Sequence, residues 1–358
     1  MDARERLLAL FRGGEPDKVP VWAADQLQPG PQGGWVRRLT KRGLGIRKIA
    51  FPYTPVFLPP FGIPIFDGLT YTKVHYIEAG VQKNRHIIET PVGTLSSVDT
   101  WSSSGIASNT EEYFVKKTSD WQVVNYIFLR IIQDLAPNYS DIEREEDALG
   151  GDGLTVAFID KTPIQRAWTE LASIERAFID YKENAEEFLQ FLDTQRKLHE
   201  RVAEIVAGSP AEVILINDNI TNVISPSLYV EFCQPYYEIY AKALQGTGKT
   251  LAVHMDGSLA HLVDEISESP FDVLDSFTIP PVGNLSLEEA RFRWRGKILT
   301  INCPPHLAWA EKKELRAGYA KIEEAWGSKG FAIVHVEDLP LERVEAHLAA
   351  ALDAYGYL

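Results

Sequence analysis

His254 and Asp256 stand two residues apart in the run TLAVHMDG (250–257). On a strand, residues i and i+2 project from one face, about 6.6 Å apart along the chain. An imidazole and a carboxylate at that spacing can converge on one cation. A third ligand has to come from another strand end, and Glu337 in FAIVHVED (331–338) is the best placed. One neutral nitrogen with two anionic oxygens suits zinc and also harder divalent metals. The same HxD spacing is equally that of a satisfied core histidine followed by a capping aspartate, so spacing alone leaves both readings open. By the same period His335 shares a face with Glu337, as an alternative ligand or a proton carrier near neutral pH. Cys303, before two prolines, is read as a small buried apolar residue rather than a thiolate ligand.

These residues belong to a wider regularity. Short apolar runs alternate with amphipathic stretches: VPVWAADQ (19–26), TVAFID (155–160), VILINDN (213–219), TLAVHMDG, VLDSFTIP (273–280), ILTINCPP (298–305) and FAIVHVED. Near-continuous apolar strands alternating with helices imply a parallel sheet covered on its outer side. Nearly every run ends in polar groups, among them Asp25, Asp160, Asp218, Asn219, Thr278 and Asn302. A single Asp, Asn or Ser there is what a helix N-cap requires. Capping does not call for His, Glu or Cys, so the set points instead to the C-terminal mouth of a barrel. The expected fold is α/β, a single (β/α)8 TIM-barrel domain over 1–358. A doubly wound sheet would bring a Gly-rich phosphate loop after its first strand, and there is none. Seven strands are assigned, with the eighth expected within 121–150 or in an N-terminal insertion. That insertion covers about 27–120: a Pro- and Gly-rich loop followed by β-rich alternation, expected over the barrel mouth.

Composition narrows the partners. With 358 residues, 45% hydrophobic, and a net charge of −14, the chain has a large core and no basic face for a nucleic-acid backbone. No run of about 18 apolar residues suggests a membrane span. Two cysteines without CxxC, and no signal-like N-terminus, make a cytoplasmic location the expectation.

Four segments together carry a family resemblance. The run DNITNVISPSLYVEFCQPYYEIYAKALQGTGKTLAVHMDG resembles the uroporphyrinogen decarboxylase superfamily, whose members carry an SP-led helix before a strand ending in His-x-Cys-Gly or a variant. GGEPDKVPVW resembles the opening of its cobalamin-dependent methyltransferase branch, and FTIPPVGNLSLEEARFRWRGK and the C-terminal FAIVHVEDLPLERVEAHLAAALDAYG are similar to later stretches. The likeness spans most of 15–30 and nearly all of 85–358. True uroporphyrinogen decarboxylases carry an RQAGRY segment after the first strand, whereas this chain reads WAADQLQPGPQGGW, which argues against porphyrinogen decarboxylation. The methyltransferase branch binds zinc through His-x-Cys and a later Cys. Here His254 is kept, and Asp256 and Glu337 stand where the cysteines would be. The resemblance thus implies a methyltransferase with zinc or another divalent metal at His254, Asp256 and Glu337, passing a methyl group between a corrinoid and a small acceptor. Catalytic roles fall to Asp218 and His335, and substrate contacts to Asp25, Asn219, Thr278 and Asn302. With no DxHxxG segment in the chain, any corrinoid arrives on a partner protein, and a homodimer is implied by analogy. The alternative is a metal-free decarboxylase using Asp25, Asp218 and His335 as acid/base groups.

Overall fold

The computed structural model describes residues 1–24, 34–55, 66–101, 108–183, 185–220, 223–335 and 339–357. The chain divides into two compact units, one of residues 1–52, 138–160 and 206–358, the other of residues 53–137 and 161–205.

The first unit is a closed eight-stranded parallel barrel. Its strands are β1 Val21–Ala24, β2 Gly45–Ala50, β3 Gly153–Ile159, β4 Val213–Ile216, β5 Thr250–His254, β6 Val273–Phe277, β7 Ile298–Asn302 and β8 Phe331–His335. They pair in chain order, with β1 hydrogen-bonded to both β2 and β8. All seven strands expected from apolar runs are present. The eighth is β2, GIRKIA, in the N-terminal insertion, one of the two places expected for it, though within the Pro- and Gly-rich part read as loop. Residues 121–150 are instead mostly helical, in Asp120–Asp134 and Ser140–Leu149. The signal is hidden because Arg47 and Lys48 break the apolar run that marks the other strands.

Alternate residues of the strands fill the interior. Trp22, Val156, Leu215, Ala252, Val273, Ile298 and Val334 share one cluster, which Leu7, Leu10 and Phe11 of the helix Ala3–Phe11 join. An Asp2–Glu5 capping box starts that helix, pairing main-chain donors that the helix leaves open. The inward parity of this cluster decides where every strand-end group points.

The second unit carries an antiparallel sheet of Thr70–Glu78, Val81–Thr90, Gly93–Trp101 and Ser108–Glu112. One polar chain crosses three of these strands. The Tyr71 hydroxyl lies 2.7 Å from His86 Nδ1, His86 Nε2 2.7 Å from Asp99, and Asn84 donates to the other Asp99 oxygen at 2.6 Å. His199 of this unit is buried. Burial and the Arg166 guanidinium push its pKa down to about 3, against a hydrogen bond to the Lys161 main chain. The folded state therefore excludes a proton that the unfolded chain takes up below about 6.5. Stability from this group is full above that pH and falls as pH drops, by about 3 kcal/mol at pH 4. Urea unfolding at pH 7 and pH 4 checks this: the loss between the two is expected to be smaller in His199→Gln by that amount.

Among the described residues, no helix is long and apolar enough to cross a membrane.

Candidate functional site

Ala252 belongs to the interior cluster, so His254, two residues on, points inward at the C-terminal end of β5. Val273 does the same for Asp275 on β6, and the two strands pair with His254 opposite Asp275. Asp275 is the hub. It accepts from Arg47 Nη1 at 3.0 and 3.2 Å, from Thr300 Oγ1 at 2.6 Å and from Ser276 Oγ at 3.2 Å, and its Oδ2 is 3.1 Å from His254 Nδ1. Arg47 arrives from β2, on the far side of an eight-stranded ring, so its side chain crosses the barrel interior. Its guanidinium lies 5.5 Å from the Trp22 ring centroid. Arg47 and Asp275 are 4% and 2% exposed, a degree of burial at which an unpartnered charge is untenable. Burial acts to raise the Asp275 pKa. Arg47, His254 and Thr300 outweigh it and hold the carboxyl well below the usual range.

An ionised Asp275 accepts only, so the proton of a neutral His254 sits on Nδ1. The Nε2 lone pair then faces the Asp256 carboxylate, with Oδ2 at 3.9 Å. A cation between these two atoms would meet an electron pair from each. Gly257, at φ +74°, makes the tight turn that follows.

The other strand ends meet in pairs. Asn302 Nδ2 donates to the Ser276 carbonyl and to Thr278 Oγ1, both at 3.1 Å, which ties the ends of β6 and β7 together. Ser276 sits at φ +66° where the β6–β7 register shifts, and its N–H donates to Thr300 Oγ1. Gly283 packs so closely on Thr278 that a Cβ would lie 1.9 Å from the Thr278 carbonyl oxygen. Asn219, at φ +40°, donates its main-chain N–H to the His254 carbonyl at 2.7 Å and so braces the end of β5.

Asp218 and His335 are not brought to this interior. Val213 and Leu215 face inward on β4, while Asp218 is fully buried and accepts the Tyr237 hydroxyl of the helix Gln234–Leu244. Ala332 and Val334 face inward on β8, which turns His335 to the helix side. There burial, His347 and Arg47 push its pKa down to about 4, and its buried Nε2 makes no hydrogen bond among the described residues. Asp25 and Glu337 lie outside the described residues, and the described ones contain no cluster of three metal-ligating side chains.

Arg47, Asp275 and Thr300 are the site residues that strand-end reasoning missed. Their signal lies inside the strands: a guanidinium in one buried run and a carboxylate in another each require a partner.

Residues 169–319 match the family model described as uroporphyrinogen decarboxylase (URO-D). No curated protein matches the chain. Among solved structures, a methyltransferase from Methanosarcina mazei is 15% identical with a TM-score of 0.59, over 99% of this chain and 99% of its own. A B12-independent methionine synthase from Shewanella sp. W3-18-1, in complex with selenomethionine, is 12% identical with a TM-score of 0.43, over 62% of this chain and 67% of its own. At 15% identity the first likeness is one of fold. The matched segment, which runs through His254, Asp275 and Thr300, is thus similar to the uroporphyrinogen decarboxylase family, and the closed barrel is the fold shared with the methyltransferase.

Proposed function

We propose that the chain is a metal-dependent methyltransferase of this superfamily, moving a methyl group between a corrinoid on a partner protein and a small acceptor. The observation that carries the reading is the orientation of His254. Its Nδ1 is tied to a buried, ionised carboxylate, and its Nε2 is turned to Asp256. A histidine that ligates a metal is commonly held this way, with a carboxylate on the other ring nitrogen fixing tautomer and angle. Ligand bonds of about 2.0–2.2 Å put two donors roughly 3.3 Å apart across a tetrahedral angle. The observed 3.9 Å is about 0.6 Å wider than that, a gap that a small side-chain rotation closes, so His254 and Asp256 fit as two ligands of zinc or another divalent ion. Glu337 is the proposed third.

Such an ion supplies Lewis acidity, lowering the pKa of the acceptor's attacking group. The chain's own contribution is positional. Asp275 keeps the His254 proton on Nδ1. Arg47 keeps Asp275 ionised inside an apolar barrel, and Thr300 and Ser276 occupy its remaining lone pairs. Asn219 holds the β5 end through the main chain, and Asn302 with Thr278 fixes the neighbouring loop. Asp25 is proposed to contact the substrate. Zinc with two carboxylates is a harder centre than zinc with two thiolates, so the acceptor need not be a thiol.

The decarboxylase alternative asks Asp25, Asp218 and His335 to act in the mouth, and Asp218 and His335 lie on the helix side of the wall, which is why methyl transfer is preferred. The test is spectrophotometric. Methylcobalamin is incubated with the protein and a panel of thiol, phenol and amine acceptors, with and without chelator. Demethylation that requires the protein and stops on chelation is expected for at least one acceptor. Turnover unchanged by exhaustive metal removal would overturn the reading.

A further inference from the structure

We infer that a pocket at the opposite end of the barrel, beside the N-terminal ends of β7 and β8, binds a phosphate-bearing small anion. The cavity is about 550 Å³, within the range of small-molecule sites. Arg291, Arg295 and Lys329 edge it, and the buried indoles of Trp294 and Trp326 form part of its wall. Catalytic groups of this fold gather at the C-terminal ends of the strands, so this pocket is separate from the site around His254.

Charge is the main argument. The chain carries −14 overall, a field that repels anions from most of its surface. Here four cationic side chains and one carboxylate, Glu15, line a single concavity. Their pairing is uneven. Lys297 is committed inward, donating to the Ser269 and Phe271 carbonyls at 2.7 and 2.8 Å. Lys329 pairs with Glu15, but both are more than 60% exposed, and such pairs hold weakly and exchange readily. Arg293, between the two arginines in sequence, is paired with Asp264. Arg291 and Arg295 have no carboxylate partner among the described residues. Two unpaired guanidinium groups within one pocket match the planar, forked recognition that phosphate oxygens favour.

The backbone agrees with this. Gly296 and Gly330 line the pocket at φ +92° and +79°, and a Cβ on Gly296 would meet nothing within 4 Å. The main chain at Gly296 is thus open to a ligand's close approach. The Arg291 guanidinium lies about 3.1 Å from where a Gly327 Cβ would be, so the absence of a side chain at 327 leaves it room beside the pocket wall.

Isothermal titration calorimetry of the full chain with sodium pyrophosphate, and separately with ATP, at fixed ionic strength tests this. Saturable binding is expected, with Kd raised at least about tenfold in Arg291→Gln/Arg295→Gln. The control Arg196→Gln/Arg201→Gln removes the same charge from the other unit and is expected to bind as the parent does. Tighter binding of ATP points to a nucleotide, and tighter binding of pyrophosphate to a free polyphosphate. No saturable heat from either anion, equal loss in the control variant, or unchanged affinity in the Arg291/Arg295 variant would each overturn the proposal.

Discussion

Asp275→Ala is expected to cost about 3–5 kcal/mol of stability, the range for removing one partner of a buried ion pair. The cost comes from what is left behind. Arg47 stays 4% exposed inside the barrel, with Trp22 below it and no anion to meet its charge. Thr300, Ser276 and His254 lose their shared acceptor at the same time. Arg47→Met is expected to cost less, because Asp275 keeps three donors and can protonate once the guanidinium no longer opposes the upward push of burial. The double variant Arg47→Met/Asp275→Leu, which removes both charges, is expected to be more stable than Asp275→Ala alone. Urea unfolding of the four proteins gives the comparison. A cost below about 1 kcal/mol for Asp275→Ala would mean that the pair is not the buried strut described.

His254→Ala is expected to abolish stoichiometric metal binding and to lower methyl transfer by at least about a hundredfold, since it removes the only ligand nitrogen proposed. Asp275→Asn keeps the volume but gives His254 a neutral partner that can donate as well as accept, so the Nδ1 tautomer is no longer enforced. Losses at such a supporting position are commonly about 10–100-fold. Asp218→Asn and His335→Gln are expected to stay within about tenfold of the parent, because both side chains lie behind the wall of the barrel. Metal content by mass spectrometry and methylcobalamin turnover, measured on the same preparations, separate these cases. A collapse of activity in Asp218→Asn with metal content unchanged would favour acid/base chemistry instead.

Much of the scaffold is legible in the chain because burial on both faces leaves a strong mark. VILI and TLAVH cannot be read as half-exposed strands, and the alternation with helices fixes a parallel arrangement. β2 escaped because its Arg47 serves a partner on β6, more than two hundred residues away in sequence, and no local pattern records that need. The candidate site is legible in the same uneven way. His254 and Asp256 come together because their spacing is local, with Asp256 two residues past the end of β5. Asp218 and His335 carry the right chemistry at the right strand ends, yet one residue of parity sends them to the other face. Thr278 and Asn302 reach the right end of the barrel, but they are buried and bonded to one another. Inward parity, read from Ala252, Val273 and Val334, would have sorted these groups had the interior cluster been known beforehand.

The most direct measurement is anomalous scattering at the zinc edge from crystals grown in metal-replete, chelator-free solution. A single strong peak is expected within about 2.2 Å of His254 Nε2 and bonded to the Asp256 carboxylate, with His254 Nδ1 still on Asp275. A barrel mouth without a peak under those conditions, or a metal bound elsewhere with His254 turned away from Asp275, would contradict the assignment.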